Sequence, residues 1–223
     1  MSDSKKAVVF DLDDTLYKEI DYLKSAFKSI SVKLSEEVGI HSDLVYKNML
    51  SLYYNDKDVF NSILKTYGSS FSVKDLILLY RNHLPEIRLS EGVLDLLEFL
   101  KSRGVYLGLL TDGRSMQQRN KIKVLKLNRF FSEIIISEEF GSSKPDIKNY
   151  LYFMNKFSCD EFWYIGDNVK KDFISPNRLR WNTVRLMDNG VNIHKSKDGN
   201  IDQSYFAHYD VENLCEIRNI IFD

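Results

Sequence analysis

Three carboxylates crowd one short stretch, AVVFDLDDTLY at residues 7 to 17: Asp11, Asp13 and Asp14, with Thr15 directly behind them. Like charges this close repel one another unless something compensates. In extended chain, residues i and i+2 face the same side, so the Asp11 and Asp13 carboxylates can aim at one small ligand. With Asp167 they make an oxygen-rich, hard site. Mg2+ suits it, because that ion takes a few carboxylates and fills its other positions with phosphate oxygens and water.

Three further places carry matching chemistry. Thr111, Asp112 and Gly113 follow the apolar run YLGLL and lead into a turn and a helix, where backbone N–H groups favour an anion. Ser142, Ser143 and Lys144 lie beyond EIIIS, and the lysine is a point charge suited to phosphate. Asp167 and Asn168 follow FWYIG, with Asp172 further on. A metal, a lysine, a hydroxyl and aspartates are the parts for phosphoryl transfer to a carboxylate nucleophile. In that chemistry Asp11 attacks phosphorus, and Asp13 protonates the leaving oxygen and then takes a proton from water. Each part alone has a blander reading: a strand-end hydroxyl, a solvated loop charge, a helix-capping acid. Four of them in order, each behind an apolar strand, argue for one site.

Bringing them to one edge requires parallel strands, and the chain reads that way. Residues 6 to 10 are a short, fully apolar strand. Ile20, Leu23, Phe27, Ile30, Leu34 and Val38 then recur at helical spacing, with Gly39 as the stop. A second helical region opens with Ser42 or Asp43 as cap and breaks near Asn55–Asp58; a third opens on the capping-box pair Ser72 and Asp75 and ends before Pro85. Residues 18 to about 85 are therefore expected to be all-helical. Ser90 caps the next helix, EGVLDLLEFLKSRG, and Gly104 stops it. From there strands VYLGLLTDG, FSEIIISEEFG, FWYIGDN, NTVRLMDNG and SYFAHYD alternate with helices, the last being VENLCEIRNIIF. Such alternation predicts βα units and a parallel sheet covered on both faces, in which ligands bind outside the carboxyl ends of the strands.

Composition narrows the partners. Of 223 residues, 43% are hydrophobic and 28% charged, as in a soluble globular chain, and the net charge of −1 gives no basic field for nucleic acid or an anionic membrane. The two cysteines, Cys159 and Cys215, form neither a metal-ligand spacing nor a disulfide framework. The first apolar run is too short for a signal-peptide core and no later run approaches a membrane span, so the expected location is cytoplasmic.

Read together, DLDDT at Asp11–Thr15, LLTDG with Thr111, SSKPD with Lys144 and GDNVKKD with Asp167 and Asp172 resemble the haloacid dehalogenase superfamily, most closely its phosphatase branch, which includes phosphoglycolate phosphatases and nucleotidases. The resemblance implies an α/β fold: a Rossmann-like core, residues 1–17 and 88–223, with a helical cap of the C1 type, residues 18–87, inserted after the first strand. It implies Asp11 as nucleophile and metal ligand, and Asp13 as acid/base with its carbonyl on the metal. Thr111 would bind the phosphoryl group, helped by the Asp112 and Gly113 amides, and Lys144 would bridge nucleophile and phosphate. Asp167 would ligate Mg2+, and Asp172 would hold a metal water or orient Lys144. Tyr17, Arg114 and Asn168 are candidate substrate contacts. Dehalogenases of this family lack the second aspartate of the first motif, because halide needs no proton on leaving; Asp13 therefore favours phosphoester chemistry. The expected activity is hydrolysis of a small phosphorylated metabolite by a monomer or homodimer. A phosphomutase of the same superfamily, and a phosphoacceptor signalling or non-catalytic protein, stand as alternatives.

Overall fold

The computed structural model describes residues 4–194 and 202–222. Val8 and Phe10 of the first strand, β1 (Lys6–Phe10), join one apolar cluster, while Ala7 and Val9 join another on the opposite face. From Ala7 to Phe10 the strand is buried on both faces and therefore apolar at every position, which is why no polar alternation marks it in the sequence. Five more strands follow: β2 (Tyr106–Thr111), β3 (Glu133–Ile136), β4 (Glu161–Gly166), β5 (Asn182–Leu186) and β6 (Tyr209–Val211). They form one sheet in the order β3-β2-β1-β4-β5-β6, and every pairing is parallel. The helices are α1 (Glu19–Val38), α2 (Ser42–Tyr54), α3 (Val59–Tyr67), α4 (Val73–Asn82), α5 (Glu91–Ser102), α6 (Ser115–Val124), α7 (Ser137–Phe140), α8 (Ile147–Lys156), α9 (Ile174–Arg178) and α10 (Ile217–Phe222). The α/β class read from the sequence is the one observed.

The apolar side chains of α5, α6 and α10 share the cluster with Val8 and Phe10; those of α8 share the one with Ala7 and Val9. Helices α1 to α4 build a third cluster from Ile20, Phe27, Ile30, Leu34, Met49 and their neighbours, distinct from the two that cover the sheet. Among the described residues, no helix is long and apolar enough to cross a membrane.

Strand order reverses beside β1, since the chain runs outward through β2 and β3 and then returns to place β4 on the other side of β1. The crevice of a doubly wound sheet opens at such a reversal. Register sets what lies there. Phe10 is level with Leu109 and Ile165, so Asp11 sits one residue past that rung, and Thr111 and Asp167 two residues past it.

Four local expectations shift. Helix α2 is capped by His41, whose Nδ1 accepts from the Asp43 N–H at 3.3 Å, so Ser42 and Asp43 lie inside the helix. The tail of the third predicted strand winds instead into the short helix α7. The last strand starts at Tyr209 rather than Ser204: Asp202 caps a single turn over Gln203–Tyr205, and Asn177 Nδ2 takes the Ser204 and Phe206 carbonyls at 2.9 and 2.8 Å, which removes them from the ladder. The final helix begins as a tight turn at Leu214–Glu216 before α10. Of the expected core span, residues 195–201 and 223, and residues 1–3, lie outside the described residues. The Ser72–Asp75 capping box forms in both directions, and Ser90 accepts from the Val93 N–H.

Gly108, in the middle of β2, has a packing reason. A Cβ there would lie 2.6 Å from the Phe153 ring of α8. Gly108→Ala is expected to lower unfolding free energy by about 1–3 kcal/mol through overpacking, seen as a lower urea midpoint with an unchanged slope.

Candidate active site

Lys144 reaches the carboxyl end of β1 with its side chain 4% exposed. Its Nζ lies 2.6 Å from Asp11 Oδ1 and 2.7 Å from Asp172 Oδ1, and 3.2 Å from the Tyr164 hydroxyl. Burial disfavours an ammonium, but the Asp11 and Asp172 charges outweigh it and hold Lys144 protonated well above the usual range. Its own backbone is fixed too, because the Lys144 N–H donates to Asp112 Oδ1 at 3.0 Å.

Asp172 is fully buried and both of its oxygens are engaged. Oδ1 takes Lys144 and the Tyr164 hydroxyl; Oδ2 accepts from the Asp167 and Asn168 amides at 3.2 and 2.8 Å. This seat requires glycine at 166, since a Cβ would stand 2.5 Å from Asp172 Oδ2. Asp167 Oδ2 accepts from Asn192 Nδ2 at 3.0 Å, and Asn192 Oδ1 in turn accepts from Lys18 Nζ at 2.8 Å.

The three acids of the opening stretch separate into three environments. Asp11 faces Lys144. Asp13 turns the other way: Oδ1 accepts from the Tyr17 hydroxyl at 2.5 Å and from Lys121 Nζ at 2.7 Å, and Oδ2 from Gln118 Nε2 at 2.9 Å. Burial would raise the Asp13 carboxyl, yet Lys121 and these hydrogen bonds hold it below the usual range. Asp14 adopts the left-handed region at φ 57°, which aspartate tolerates better than most residues. From there its carboxylate accepts from the Glu19 N–H at 2.9 Å and the Ile193 N–H at 3.1 Å. It thereby satisfies one N–H of the first turn of α1, whose own N-cap, Lys18, provides no side-chain bond.

Of the residues expected from sequence, Asp11, Asp13, Thr111, Asp112, Lys144, Asp167 and Asn168 line one cavity of about 100 Å³, together with Asp14, Glu19, Lys171 and His194. Thr111 is buried and its Oγ1 lies 2.5 Å from Gln118 Nε2. The Gly113 N–H is donated to Ser137 Oγ at 2.9 Å. Arg114 pairs with Glu138 at 2.6 Å and lies on a separate surface with Arg81 and Gln117, away from the acidic cavity. Tyr17 is engaged with Asp13, and the Asn168 side chain accepts from the Lys170 N–H within its own loop. Gln118, Lys121, Tyr164 and Asn192 escaped the sequence reading. Gln118 and Lys121 sit in the strongly polar segment SMQQRNKIKV, where nothing distinguishes a buried lysine from the exposed ones beside it.

Oxygen atoms of Asp11, Asp167 and Asp172 all lie within 4.8 Å of one another. Burial raises Asp11 to about 7 and Asp167 to about 9, and in both the neighbouring carboxylates add to the rise. An excess of crowded, hard anionic oxygens is the donor chemistry that a divalent cation such as Mg2+ fits. Asp13 does not join this cluster through its side chain, and the engaged Asp172 acts on Lys144 and on the loop amides.

The family model of haloacid dehalogenase-like hydrolases matches residues 8–185. The glyceraldehyde 3-phosphate phosphatase of Methanocaldococcus jannaschii is 28% identical over 97% of this chain and 96% of its own length. The pyrophosphatase PpaX of Oceanobacillus iheyensis is 24% identical, covering 99% of this chain and 98% of that protein. Among solved structures, the HAD phosphatase of Thermococcus onnurineus matches with a TM-score of 0.62 and 24% identity, covering 97% and 98% of the two chains, a likeness of fold.

The crowding has a consequence for metal-free protein. Unfolded Asp167 loses its proton near the ordinary carboxylate value of 3.8, whereas folded Asp167 keeps it to about 9. Across that window the native state binds more protons, so this residue lowers stability progressively as pH rises. In EDTA, the urea midpoint of the wild type is expected to fall relative to Asp167→Asn between about pH 4 and pH 9. Added Mg2+ is expected to raise the wild-type midpoint more than the variant's, as ligand binding to the native state requires.

Proposed function

The chain belongs to the haloacid dehalogenase-like hydrolase family, and from that premise we propose that this enzyme is a Mg2+-dependent phosphatase that cleaves a small phosphomonoester through a phosphorylated Asp11. The observation that carries this reading is Lys144 Nζ seated between Asp11 and Asp172 at the carboxyl end of β1, with Asp167 beside them and Thr111 lining the same cavity.

In this reading the Asp11 carboxylate attacks phosphorus and the P–O bond to the leaving group breaks. Asp13, which Lys121 holds ionised in the free enzyme, takes up the proton of the incoming phosphomonoester monoanion and gives it to the departing oxygen. Asp13 then accepts a proton from water, which cleaves the aspartyl-phosphate to inorganic phosphate and restores Asp11. Lys144 holds Asp11 in place and offsets the negative charge brought by substrate, and the Thr111 hydroxyl orients the phosphoryl group. Mg2+, held by Asp11, Asp167 and the Asp13 carbonyl, would neutralise charge on the phosphoryl oxygens when bound.

Residues 18–87 serve as a cap over the core formed by 1–17 and 88–223. Two features support this: α1 to α4 pack around their own apolar cluster, and Glu19, at the start of α1, lines the acidic cavity. Closing over substrate would exclude water from the phosphoryl group. A cavity of about 100 Å³ suits a phosphoryl group and little more, so the rest of the substrate would lie toward the helical segment. The relatives make a triose phosphate and pyrophosphate the first compounds to test, with a cytoplasmic metabolite pool as their source.

The test is release of inorganic phosphate from a panel holding glyceraldehyde 3-phosphate, glycerol phosphate, phosphoglycolate, a nucleoside monophosphate and pyrophosphate. Release is expected with Mg2+, is expected to stop on chelation, and is expected to vanish in Asp11→Asn. Absence of release from every compound overturns the reading, and so does activity that survives Asp11→Asn.

A further inference from the structure

Lys121 is a lysine whose side chain is 1% exposed, on a helix that contributes no charged group to the mechanism above. Its Nζ is 2.7 Å from Asp13 Oδ1, 3.8 Å from Glu19 Oε1, and 4.5 Å from the Tyr22 ring centroid. Gln118 precedes it by three residues on α6 and so shares its face. That side chain is also buried, and its Nε2 reaches both Asp13 Oδ2 at 2.9 Å and Thr111 Oγ1 at 2.5 Å. Tyr17 completes the set from the loop before α1. Burying a lysine and a glutamine costs free energy unless each is paired, and here both are paired to the same carboxylate.

The lone pairs can be counted. A carboxylate offers two on each oxygen. Asp13 Oδ1 receives two donors, Tyr17 and Lys121, and is filled. Among the described residues Asp13 Oδ2 receives one, Gln118, which leaves one lone pair. A carboxylate gripped at three points has one rotamer, so a single oxygen, in a set direction, remains for proton exchange.

We infer that Lys121, together with Gln118, is a positioning residue that presents Asp13 Oδ2 for proton transfer to and from substrate; this rests on the phosphatase reading. The same helix face ties Thr111 to Asp13 through Gln118, so the phosphoryl-binding hydroxyl and the proton-transfer group are set together. Lys121 also contacts Tyr22 and Glu19 of α1, which places the grip where the helical segment meets the core.

The experiment compares kcat/KM of wild type, Lys121→Met and Gln118→Leu on two esters in the presence of Mg2+. Glycerol phosphate has an alkoxide leaving group that needs a proton. p-Nitrophenyl phosphate has a phenolate that departs without one. Because kcat/KM reports events up to formation of the phosphoenzyme, each variant is expected to lose about 10²-fold on glycerol phosphate, the usual scale of general acid catalysis. Its loss on p-nitrophenyl phosphate is expected to be at least tenfold smaller. Equal losses on the two esters, or none on either, overturn the inference. In an Asp13→Asn background the further loss from Lys121→Met is expected to shrink to within about threefold, because the two changes act through one group. A full additional loss there means that Lys121 supports the fold rather than Asp13. Gln118→Leu decides the matter if Lys121→Met fails to fold. If another alkyl phosphate of the panel is turned over in place of glycerol phosphate, it takes that arm of the comparison; a wild type inactive on every compound overturns the phosphatase reading itself, and the inference with it.

Discussion

A buried ammonium between two buried carboxylates is the constraint on which the rest of this structure depends. Moving Lys144, Asp11 or Asp172 alone out of water would cost several kcal/mol, which their mutual contacts at 2.6 and 2.7 Å offset together with the Tyr164 hydroxyl and the amides on Asp172. Those contacts demand three loops from three different strands at one point. Only a parallel sheet that brings the carboxyl ends of β1 and β4 side by side, with the segment carrying Lys144 folded over them, meets that demand. Gly166 follows from the same requirement. It leaves room for the Asp172 carboxylate to turn back onto the amides of its own loop.

The site nonetheless carries more negative charge than Lys144 balances. Among the described residues Asp167 faces the pair with an asparagine amide alone on its Oδ2, and burial raises its carboxyl far above the usual range. Stability and chemistry pull in opposite directions here. A chain selected only for folding would not pack Asp11, Asp167 and Asp172 within 4.8 Å, and this excess charge is the ground on which a cation and a phosphoryl group are proposed there.

The polar contacts around Asp13 and Asp167 also join the helical segment to the sheet. Lys18 reaches Asn192, Asp14 reaches Ile193, and Tyr17, Glu19 and Tyr22 surround Lys121. Apolar packing, by contrast, keeps most of α1 to α4 in a separate cluster. Rearrangement of these helices would therefore be felt at the acidic residues before it disturbed either core.

Sequence alone determined the parallel α/β class and the helical insert, because strand and helix periodicities and turn residues are local properties. It also determined the four motifs, because Asp11, Thr111 and Asp167 stand at the end of an apolar run, whereas Lys144 follows the isoleucine run only after α7. Cap chemistry was legible where it obeys short spacing, as at Ser72–Asp75 and Ser90, and failed where a less common acceptor, the His41 ring, serves as the cap. Tertiary structure decided what each acid does. Asp11, Asp13 and Asp14 are nearly indistinguishable as letters, yet they face a lysine, a three-donor grip and two backbone amides, on partners up to 179 residues away. Gln118, Lys121, Tyr164 and Asn192 became visible only there, since burial of a polar side chain depends on what folds against it. Arg114 shows the converse: adjacent in sequence to the phosphate motif, it pairs with Glu138 at 2.6 Å on a separate surface, a partner that only the fold brings to it.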